Sequence, residues 1–495
     1  MPRYNRLLPR RLRPGSFRGG TVMDICLRNT LTRRVEPVTP LDGQRLRMYT
    51  CGPTVYDYGH IGNFRTFVAV DLFQRFWRAQ GGALESVLNL TDIDDKMIER
   101  ARTAGREVAA HAAFYAAAFW EDLAALGIAR PDHVARATDF IPAMVDWITR
   151  LVAGGHAYVS EGSVYFRVGG FPAYGRLSGK DLAGLQAGAR VQSDTYDKEE
   201  ARDFVLWKAH KPGEPSWPSP WGPGRPGWHI ECTVMSTALL GPTLDMHAGG
   251  ADLIFPHHEN EIAQAEAVTG QPFARHWMHV EFLLVNGEKM SKSLGNFYTL
   301  RDLIAQGHRP SSIRYLLASV PYHRQLNFTL EGLNQAAAAV ARLRVFAARL
   351  GREAWPEREN PQLDATLRAG EEKFTASLAD DLNTSEALAA VFEAVREANG
   401  AMDGGQFGRA QAAALTAWLA RFDSIFGVLS LAEREAEEAG GAGQLTDAAV
   451  EAKLAERAAA RARRDFARSD ALRAELDAAG IIVEDKKGGA EWRRK

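Results

Sequence analysis

The first part of the chain alternates between strand-like and helix-like patterns of apolar residues. Residues 44–51 alternate apolar and polar side chains as a strand does, and a turn region rich in Gly, Pro and Asn follows at 52–63. Residues 64–80 have the spacing of an amphipathic helix that two glycines would end, and residues 83–90 predict a second strand. This order predicts a β-α-β unit with parallel strands, in which ligands bind at the carboxyl ends of the strands beside helix N-termini.

The pattern changes character along the rest of the chain. Mostly helical sequence leads into short predicted strands and loops rich in Pro and Gly, which we interpret as an insertion into the first fold. The α/β pattern resumes after residue 226. Beyond about residue 330, apolar residues follow helical spacing and predict an all-α bundle, which a linker rich in Ala, Glu and Gly separates from a compact tail.

The composition is that of a globular protein with sizeable cores, since 46% of the 495 residues are hydrophobic and 24% are charged. No run of eighteen apolar residues occurs, so we expect no membrane span and no membrane partner. The formal net charge of −1 neither requires nor excludes a nucleic-acid partner, because a local basic patch is sufficient. Three cysteines without a secretory signal argue against a disulfide framework and favour the cytoplasm.

The first twenty residues hold six arginines and no acidic residue. A basic targeting or RNA-binding arm would have this composition. The segment has no apolar periodicity, however, so we expect residues 1–22 to form a disordered basic extension and the ordered chain to begin at Met23.

Four residues have the chemistry of zinc ligands, namely Cys51, Cys232, His257 and Glu261. Pro256 suits the first turn of a helix, which would place His257 and Glu261 one turn apart on a single face. His258 would point about a third of a turn away from His257. It could support the metal ligands by a hydrogen bond, or it could contact a substrate. Each residue alone also has an ordinary explanation, such as a small buried cysteine or a contact within a helix, so the residues themselves leave zinc as one of two interpretations.

Three segments could bind a nucleotide. The residues HIGN at 60–63 lie where the pattern predicts a helix N-terminus, which attracts phosphate oxygens. The residues KMSKSLGN at 289–296 place two lysines in a loop, where they could neutralise charge on a triphosphate, although a solvated turn would have the same composition. Gly249 and Gly250 would let a nucleotide lie against the backbone, while Asp252 accepts hydrogen bonds from ribose hydroxyls.

The pair HIGN and, about 230 residues later, KMSKS resembles the two signatures of class I aminoacyl-tRNA synthetases. Longer strings narrow the resemblance to the cysteinyl-tRNA synthetase family, from about Met23 to Lys495. These strings are CGPTVYD, NLTDIDDKMI, DFVLWK, EPSWPSPWGPGRPGWHIEC, GGADLIFPHHENEIAQ and KMSKSLGNF. The family's first signature commonly ends in His, whereas this chain has Asn63, which can donate a hydrogen bond but carries no charge.

The resemblance implies a role for each candidate residue. Zinc would be held, one ion per chain, by Cys51, Cys232, His257 and Glu261. His60 and Lys292 would act on ATP, assisted by Asn63 and Lys289, and the ATP site would include Gly249, Gly250 and Asp252. The cysteine pocket would be lined by Gly52, Thr54, Thr91 and Trp228. In the tail, tRNA contacts would come from Arg457, Arg461, Arg464, Arg468 and Trp492, the four arginines being spaced by three and four as on one helical face.

The implied reaction activates L-cysteine with ATP and Mg²⁺ to cysteinyl-adenylate, which the 3′ end of tRNA(Cys) then attacks. Pocket size alone separates cysteine from serine only ~10–200-fold. Zinc binds a thiolate far better than a hydroxyl, so it would select the substrate. Two alternatives are a cysteine ligase that transfers the activated amino acid to an amino-sugar, and a non-catalytic RNA-binding relative. We expect a cytoplasmic monomer.

The predicted fold is α/β: a Rossmann-type catalytic domain with a parallel sheet and an insertion, then an α-helical bundle and a small anticodon-binding domain. The predicted segments, in order, are a basic extension at 1–22, the first Rossmann half at 23–140, a connective insertion at 141–225, the second half with the KMSKS loop at 226–300, a stem-contact region at 301–335, the bundle at 336–431, a linker at 432–444 and the anticodon-binding tail at 445–495.

Overall fold

The computed structural model describes residues 24–180, 203–291, 294–352, 354–441, 447–463, 465–478, 481–486 and 489–494. The predicted basic extension at 1–22 lies outside the described residues, as do Lys292 and Arg464. The described chain divides into two compact units, residues 1–428 and 429–495.

The helices of the described residues are α1 Ile61–Ala79, α2 Asp95–Thr103, α3 Val108–Ala125, α4 Ile141–Ala153, α5 Trp228–Leu240, α6 Glu259–Thr269, α7 Leu300–Ala305, α8 Pro310–Ala318, α9 Leu330–Arg352, α10 Pro361–Ala379, α11 Thr384–Asp403, α12 Arg409–Phe426, α13 Leu429–Gly441, α14 Asp447–Ala462 and α15 Phe466–Ala478. The strands are β1 Cys26–Asn29, β2 Arg34–Pro37, β3 Arg45–Thr50, β4 Ala83–Leu90, β5 His133–Arg136, β6 Ala157–Ser160, β7 Ser163–Phe166, β8 Phe204–Ala209, β9 Gly224–Pro226, β10 Leu244–Gly250, β11 Ala274–Val280, β12 Leu283–Val285, β13 Glu288–Lys289, β14 Leu326–Phe328, β15 Ile481–Lys486 and β16 Gly489–Arg494.

A five-stranded parallel sheet forms the centre of the first unit, in the order β11-β10-β3-β4-β5. The predicted β-α-β unit is therefore present as β3, α1 and β4. The direction of strand addition reverses between β3 and β10, because β4 and β5 extend one way and β10 and β11 the other. Such a reversal opens a crevice beyond the carboxyl ends of the two central strands, where ligands bind in doubly wound folds.

The insertion contains a four-stranded antiparallel sheet in the order β6-β7-β8-β9. Its last strand, Gly224–Pro226, leads directly into α5, whose first residue is Trp228. The proline-rich loop predicted from the sequence therefore returns the chain to the helix that carries Cys232.

A smaller sheet, β13-β12-β14, follows the parallel sheet along the chain. Strand β12 pairs with β13 in a tight hairpin and with β14 in parallel. Lys289, the first residue of the KMSKS string, ends β13, so this sheet carries the base of the second signature.

Helices α9 to α12 form the predicted helical region. Asn383 is the N-cap of α11, and its side chain accepts a hydrogen bond from the Glu386 backbone amide at 3.3 Å, as the capping signature predicts. Two boundaries differ from prediction. Helix α9 begins at Leu330 rather than 336, and α13 continues through most of the predicted linker, because Ala and Glu in that stretch are good helix formers.

The second unit comprises α13 to α15 and the antiparallel hairpin β15–β16. Its core is formed by Val450, Leu476, Ile481 and Val483, with Leu454 and Trp492 packed against it.

Among the described helices, none alone has the length and apolar composition needed to cross a membrane, although the consecutive pair α12 and α13 passes on those two criteria when taken together.

Candidate active site

The crevice at the strand reversal brings together residues from distant parts of the sequence. Cys51 directly follows β3, and its backbone amide donates to the Ala248 carbonyl of the neighbouring β10 at 2.9 Å. Gly249 and Gly250 end β10 at the same edge. Cys51 and the two glycines are thus neighbours at the carboxyl ends of β3 and β10, where the sequence predicts a ligand site.

Buried sulfur, nitrogen and carboxylate atoms converge behind Cys51. Its Sγ lies 3.7 Å from the Sγ of Cys232 and 3.7 Å from Oε1 of Glu261. His257 Nε2 lies 2.9 Å from the same carboxylate oxygen. His258 Nε2 is 3.3 Å from Cys51 Sγ and 3.8 Å from Glu261 Oε1. All five side chains are buried, so the cluster has the donor chemistry of an enclosed site for a thiophilic metal ion.

Two overlapping ligand sets fit this geometry. One potential ligand atom each from Cys51, His257, His258 and Glu261 lie within 4.8 Å of one another. The set predicted from the sequence has Cys232 in place of His258. Cys51, His257 and Glu261 are common to both sets, so the structure brings these three predicted residues together and leaves Cys232 and His258 as competitors for the fourth position.

Further histidines hold the cluster in place, and the sequence did not single them out. Glu261 Oε2 lies 2.8 Å from Nε2 of His247, and His257 Nδ1 lies 3.0 Å from Nδ1 of His229. His258 Nδ1 lies 2.7 Å from Nε2 of His279. Outer hydrogen bonds of this kind fix the orientation of metal-binding imidazoles and carboxylates.

Charges within the cluster are strongly coupled. Burial alone would raise the pKa of the Cys232 thiol, but hydrogen bonds from Cys51 and His257 lower it to about 6. Burial would also raise the pKa of Glu261, yet the nearby His247 and His257 lower it to about 2. The pKa of His257 rises to about 10, because its attraction to Glu261 outweighs the effect of burial. Burial raises the pKa of the Cys51 thiol well above its usual value. Cys232 and Glu261 therefore favour their anionic forms beside a protonated His257, whereas Cys51 favours its neutral thiol.

The local backbone at His257 differs from the prediction. Pro256 does not begin a regular helix; residues Ile254–His258 form an irregular turn with an extended Phe255, and α6 begins at Glu259. The histidine and Glu261 nevertheless meet, because the turn feeds directly into the helix and preserves the spacing of four residues.

The four residues predicted to line the amino-acid pocket lie around this cluster. A Cβ atom at Gly52 would lie 1.7 Å from the Asn89 carbonyl oxygen, so only glycine fits there. Thr54 forms a parallel bridge with Thr91. The ring of Trp228 is half exposed and stacks on His257, with 4.3 Å between ring centroids.

A hydrogen-bond network links two of these residues, Gly52 and Thr91. The Thr91 hydroxyl donates to Oε2 of Glu231 at 2.8 Å, and Asn89 Oδ1 accepts from the Gly52 amide at 2.7 Å. Asn89 Nδ2 also approaches the Thr91 hydroxyl at 3.4 Å. Glu231 and Asn89 carry no distinctive spacing, so the sequence offered no signal for them beyond the neighbouring Cys232.

The first signature forms the start of α1. His60 is the N-cap and accepts from the Asn63 amide at 3.2 Å, while Asn63 Oδ1 accepts from the His60 amide at 3.1 Å. Asn63 is thus engaged in a reciprocal capping box, a role that needs no charge. A Cβ at Gly62 would lie 3.3 Å from Cε of Met290, so the two signature segments are neighbours in space.

The second signature and the glycine segment face the same crevice. Lys289 is exposed and close enough to Asp252 to interact with it electrostatically. A Cβ at Gly250 would lie 2.3 Å from Oδ1 of Asp252, and one at Gly249 would lie 2.8 Å from Cε1 of His258. The absence of side chains at these two glycines therefore leaves room for the groups beside them.

The prediction that the tail arginines share one helical face is wrong. Helix α14 ends at Ala462, and α15 starts at Phe466 after Asp465, whose side chain accepts from the Arg468 amide at 3.1 Å and caps the new helix. Arg457 is buried, whereas Arg461 is exposed.

The remaining tail candidates already have protein contacts. The Arg468 side chain donates to Glu456 at 2.9 Å and to Glu475 at 3.3 Å, and Trp492 packs partly against the small core. These contacts reduce the surface that Arg468 and Trp492 could offer to RNA.

Comparison with protein families gives three consecutive matches. Residues 37–338 match the catalytic domain of tRNA synthetases class I (C), residues 373–432 match the DALR domain, and residues 444–493 match the cysteinyl-tRNA ligase anticodon binding domain.

Curated relatives match nearly the whole chain. The chain is 53% identical to the cysteine–tRNA ligase of Solibacter usitatus over 467 residues, covering 94% of this chain and 99% of the relative. Identity to the same enzyme of Koribacter versatilis is 50%, covering 96% and 100%. Among solved structures, methionyl-tRNA synthetase of Mycobacterium tuberculosis with methionyl-adenylate has a TM-score of 0.56 at 18% identity, covering 82% of this chain and 95% of that chain. This last likeness concerns the fold.

Proposed function

The chain belongs to the cysteine–tRNA ligase family of class I aminoacyl-tRNA synthetases, and from that premise we propose that it joins L-cysteine to the 3′ end of tRNA(Cys) at the expense of ATP. The observation that carries the proposal is the crevice between β3 and β10, where a sulfur-rich cluster, an ordered amino-acid pocket and both signature segments meet.

The donor set fits Zn²⁺. Two zinc–sulfur bonds of ~2.3 Å at tetrahedral angles separate their sulfurs by ~3.8 Å. The Sγ atoms of Cys51 and Cys232 are 3.7 Å apart. Cys232 also has the lowered pKa of a thiolate, the form that binds zinc. We therefore assign the ligands as Cys51, Cys232, His257 and Glu261. His258, whose Nε2 lies 3.3 Å from Cys51 Sγ, is then a neighbour of the site and not a ligand.

Zinc bound there would supply a soft Lewis acid that accepts the substrate sulfur and discriminates against the hydroxyl of serine. The protein groups around it shape the rest of the pocket. Thr91 donates its single proton to Glu231 and accepts from Asn89 Nδ2 at 3.4 Å, so one lone pair of its oxygen is left for the substrate ammonium group. Gly52 keeps the backbone open, and the exposed edge of Trp228 covers the site.

ATP would enter as its magnesium complex along the strand ends. Gly249, Gly250 and Asp252 would hold the nucleoside, and the N-terminus of α1 with His60 would face the phosphates. The cysteine carboxylate oxygen attacks the α-phosphorus, and the bond to the pyrophosphate oxygen breaks. Lysines of the KMSKS segment, Lys289 and Lys292, would neutralise the charge that leaves with pyrophosphate.

The second step transfers the cysteinyl group to tRNA. The terminal ribose hydroxyl attacks the acyl carbon and AMP leaves. No protein nucleophile is required, so catalysis rests on positioning. The match of the anticodon-binding family to residues 444–493 favours tRNA over an amino-sugar as the acceptor. The buried cluster of metal-binding side chains and the capped first signature at the start of α1 favour an enzyme over a non-catalytic RNA-binding relative. We assign residues 301–335 to the acceptor stem and the bundle to the tRNA body.

A reducing compartment suits this chemistry. Cys26, Cys51 and Cys232 are all free thiols, although two of them lie close together. This supports a place in the cytoplasm.

One chain carries every residue assigned above, so we propose a functional monomer.

Amino-acid-dependent ATP–pyrophosphate exchange, followed by charging of tRNA(Cys), tests the proposal. Cysteine should support exchange. The deficit of serine relative to cysteine should be far larger than the ~10–200-fold expected from shape alone. Exchange with another amino acid, or a serine deficit within that range, would contradict the assignment of the metal as the reader of the thiol.

A further inference from the structure

A buried arginine connects the helix of the first signature to the sheet of the second. Arg65 lies on α1, two residues after Asn63, and is 1% exposed. Its Nη1 donates to the Phe282 carbonyl at 2.8 Å, and its Nη2 donates to the carbonyls of Pro321, at 3.3 Å, and Arg324. Although burial lowers the pKa of Arg65 to about 10, the side chain remains charged at neutral pH.

The three accepting carbonyls lie at the entry to the small sheet. Phe282 immediately precedes β12, and Pro321 and Arg324 precede β14. The Phe282 carbonyl also accepts from the Leu326 amide at 3.2 Å, so it joins the two strands to each other as well as to α1. One guanidinium thus fixes the starting ends of β12 and β14 against the signature helix.

The far end of the KMSKS segment is attached to the same helix. The Ile61 amide at the start of α1 donates to the Tyr298 carbonyl at 3.0 Å, and His60 bridges to Thr299. The segment that begins at Lys289 is therefore held on both sides by α1, upstream through Arg65 and downstream through Ile61.

We propose that Arg65 is a positioning residue for adenylation, which sets the place of Lys289 relative to the HIGN signature by fixing β12 and β14 to α1. The proposal rests on the role assigned above to Lys289. Arginine suits this task because its two terminal nitrogens reach separate carbonyls in a fixed plane, whereas lysine must donate from a single nitrogen. Arg65 touches neither substrate, so its effect passes through the loop.

The substitution Arg65→Lys tests the proposal in cysteine-dependent ATP–pyrophosphate exchange. A misplacement of about 1 Å costs on the order of 100-fold in rate, so we expect kcat to fall about 10–100-fold while the KM for cysteine changes less than about twofold. The zinc content should stay at that of the wild-type protein. Thermal unfolding establishes that the variant is folded, and Arg65→Gln, which keeps two donors on one nitrogen, is the second variant.

A double-mutant cycle with Lys289→Ala separates positioning from general stability. If Arg65 acts through the loop, Arg65→Lys should lower the rate less than about threefold once Lys289 is absent, because coupled residues are not additive. Arg314→Lys is the matched control. Arg314 is equally buried, and it donates to the Leu126 carbonyl at 3.0 Å and pairs with Asp71 of α1 at 2.6 Å. Asp71 lies on the order of 16 Å along α1 from His60, so this arginine holds the helix far from the signature.

The control should show the same change with and without Lys289→Ala. An equal loss from Arg65→Lys in both backgrounds would overturn the proposal, because the arginine would then act independently of the loop. A Lys289→Ala enzyme with the wild-type exchange rate would overturn the assigned role of Lys289, and with it this inference. A rise in the KM for cysteine without a fall in kcat would likewise contradict it.

Discussion

The Sγ atoms of Cys51 and Cys232 lie 3.7 Å apart although 181 positions separate the two residues in the chain. One follows the first strand of the parallel sheet and the other lies in the middle of α5. The spacing is too long for a disulfide bond and equals the edge of a tetrahedral zinc–thiolate site. The competition between Cys232 and His258 for the remaining ligand position gives the first prediction.

Cys232→Ser should lose most of the bound zinc and the cysteine-dependent exchange together, because a serine hydroxyl is a poor zinc ligand. His258→Gln should keep about one zinc per chain, since Cys51, Cys232, His257 and Glu261 supply four ligands without it. Elemental analysis of both purified variants decides the assignment. Loss of zinc from His258→Gln with retention in Cys232→Ser would exchange the roles of the two residues.

Thr91→Val should weaken both cysteine binding and the fold. The substitution leaves buried Oε2 of Glu231 without its donor, which costs ~1–3 kcal/mol in the free energy of unfolding. The KM for cysteine should rise by about tenfold, equivalent to ~1.4 kcal/mol. Chemical denaturation and exchange kinetics measure the two effects.

Thr50→Val is the matched control for this change. Thr50 is also a buried threonine at the carboxyl edge of the sheet, but its hydroxyl has no hydrogen-bond partner among the described residues. Replacing it with an isosteric methyl should therefore be neutral or slightly stabilising. Equal losses in the two variants would show that the Thr91–Glu231 bond contributes nothing specific to the pocket.

Lys292→Ala should slow adenylation much more than it weakens cysteine binding, since its charge is needed in the transition state. Removing one charge-stabilising group of this kind costs about 100–1,000-fold in kcat. Lys373→Ala, which removes an exposed lysine paired with Glu386 in the helical bundle, should leave the exchange rate unchanged. A Lys292→Ala enzyme with the wild-type exchange rate would remove this lysine from the mechanism.

Local sequence was enough for the elements that carry the site. The turn after β3 and the start of α1 were predicted at Cys51 and His60, because periodicity and glycine-rich turns act over short distances. The pairing of β10 beside β3 could not be predicted in this way, since strands about 200 residues apart leave no local signal. His247, near the middle of β10, becomes informative only once that pairing places it against Glu261.

The tail shows the opposite error. The arginines from 457 to 468 have helical spacing, and no Gly or Pro interrupts them, so periodicity predicted one continuous face. A helix can also end where an aspartate caps the next one, as Asp465 does for α15. The burial of Arg457 depends on tertiary packing, which the charge pattern does not encode.

The tail gives the last prediction. Truncation after Gly441 keeps α13 whole and removes the part of the chain that matches the anticodon-binding family, residues 444–493. Cysteine-dependent exchange should be retained, because every residue assigned to adenylation lies in the first unit. The kcat/KM for charging tRNA(Cys) should fall by about 5–150-fold or more. This range corresponds to the loss of one stacked base, which contributes ~1–3 kcal/mol. If the folded, truncated protein charges tRNA at the full-length rate, the tail does not read the anticodon, and transfer of activated cysteine to an amino-sugar would become the better account of the same catalytic unit.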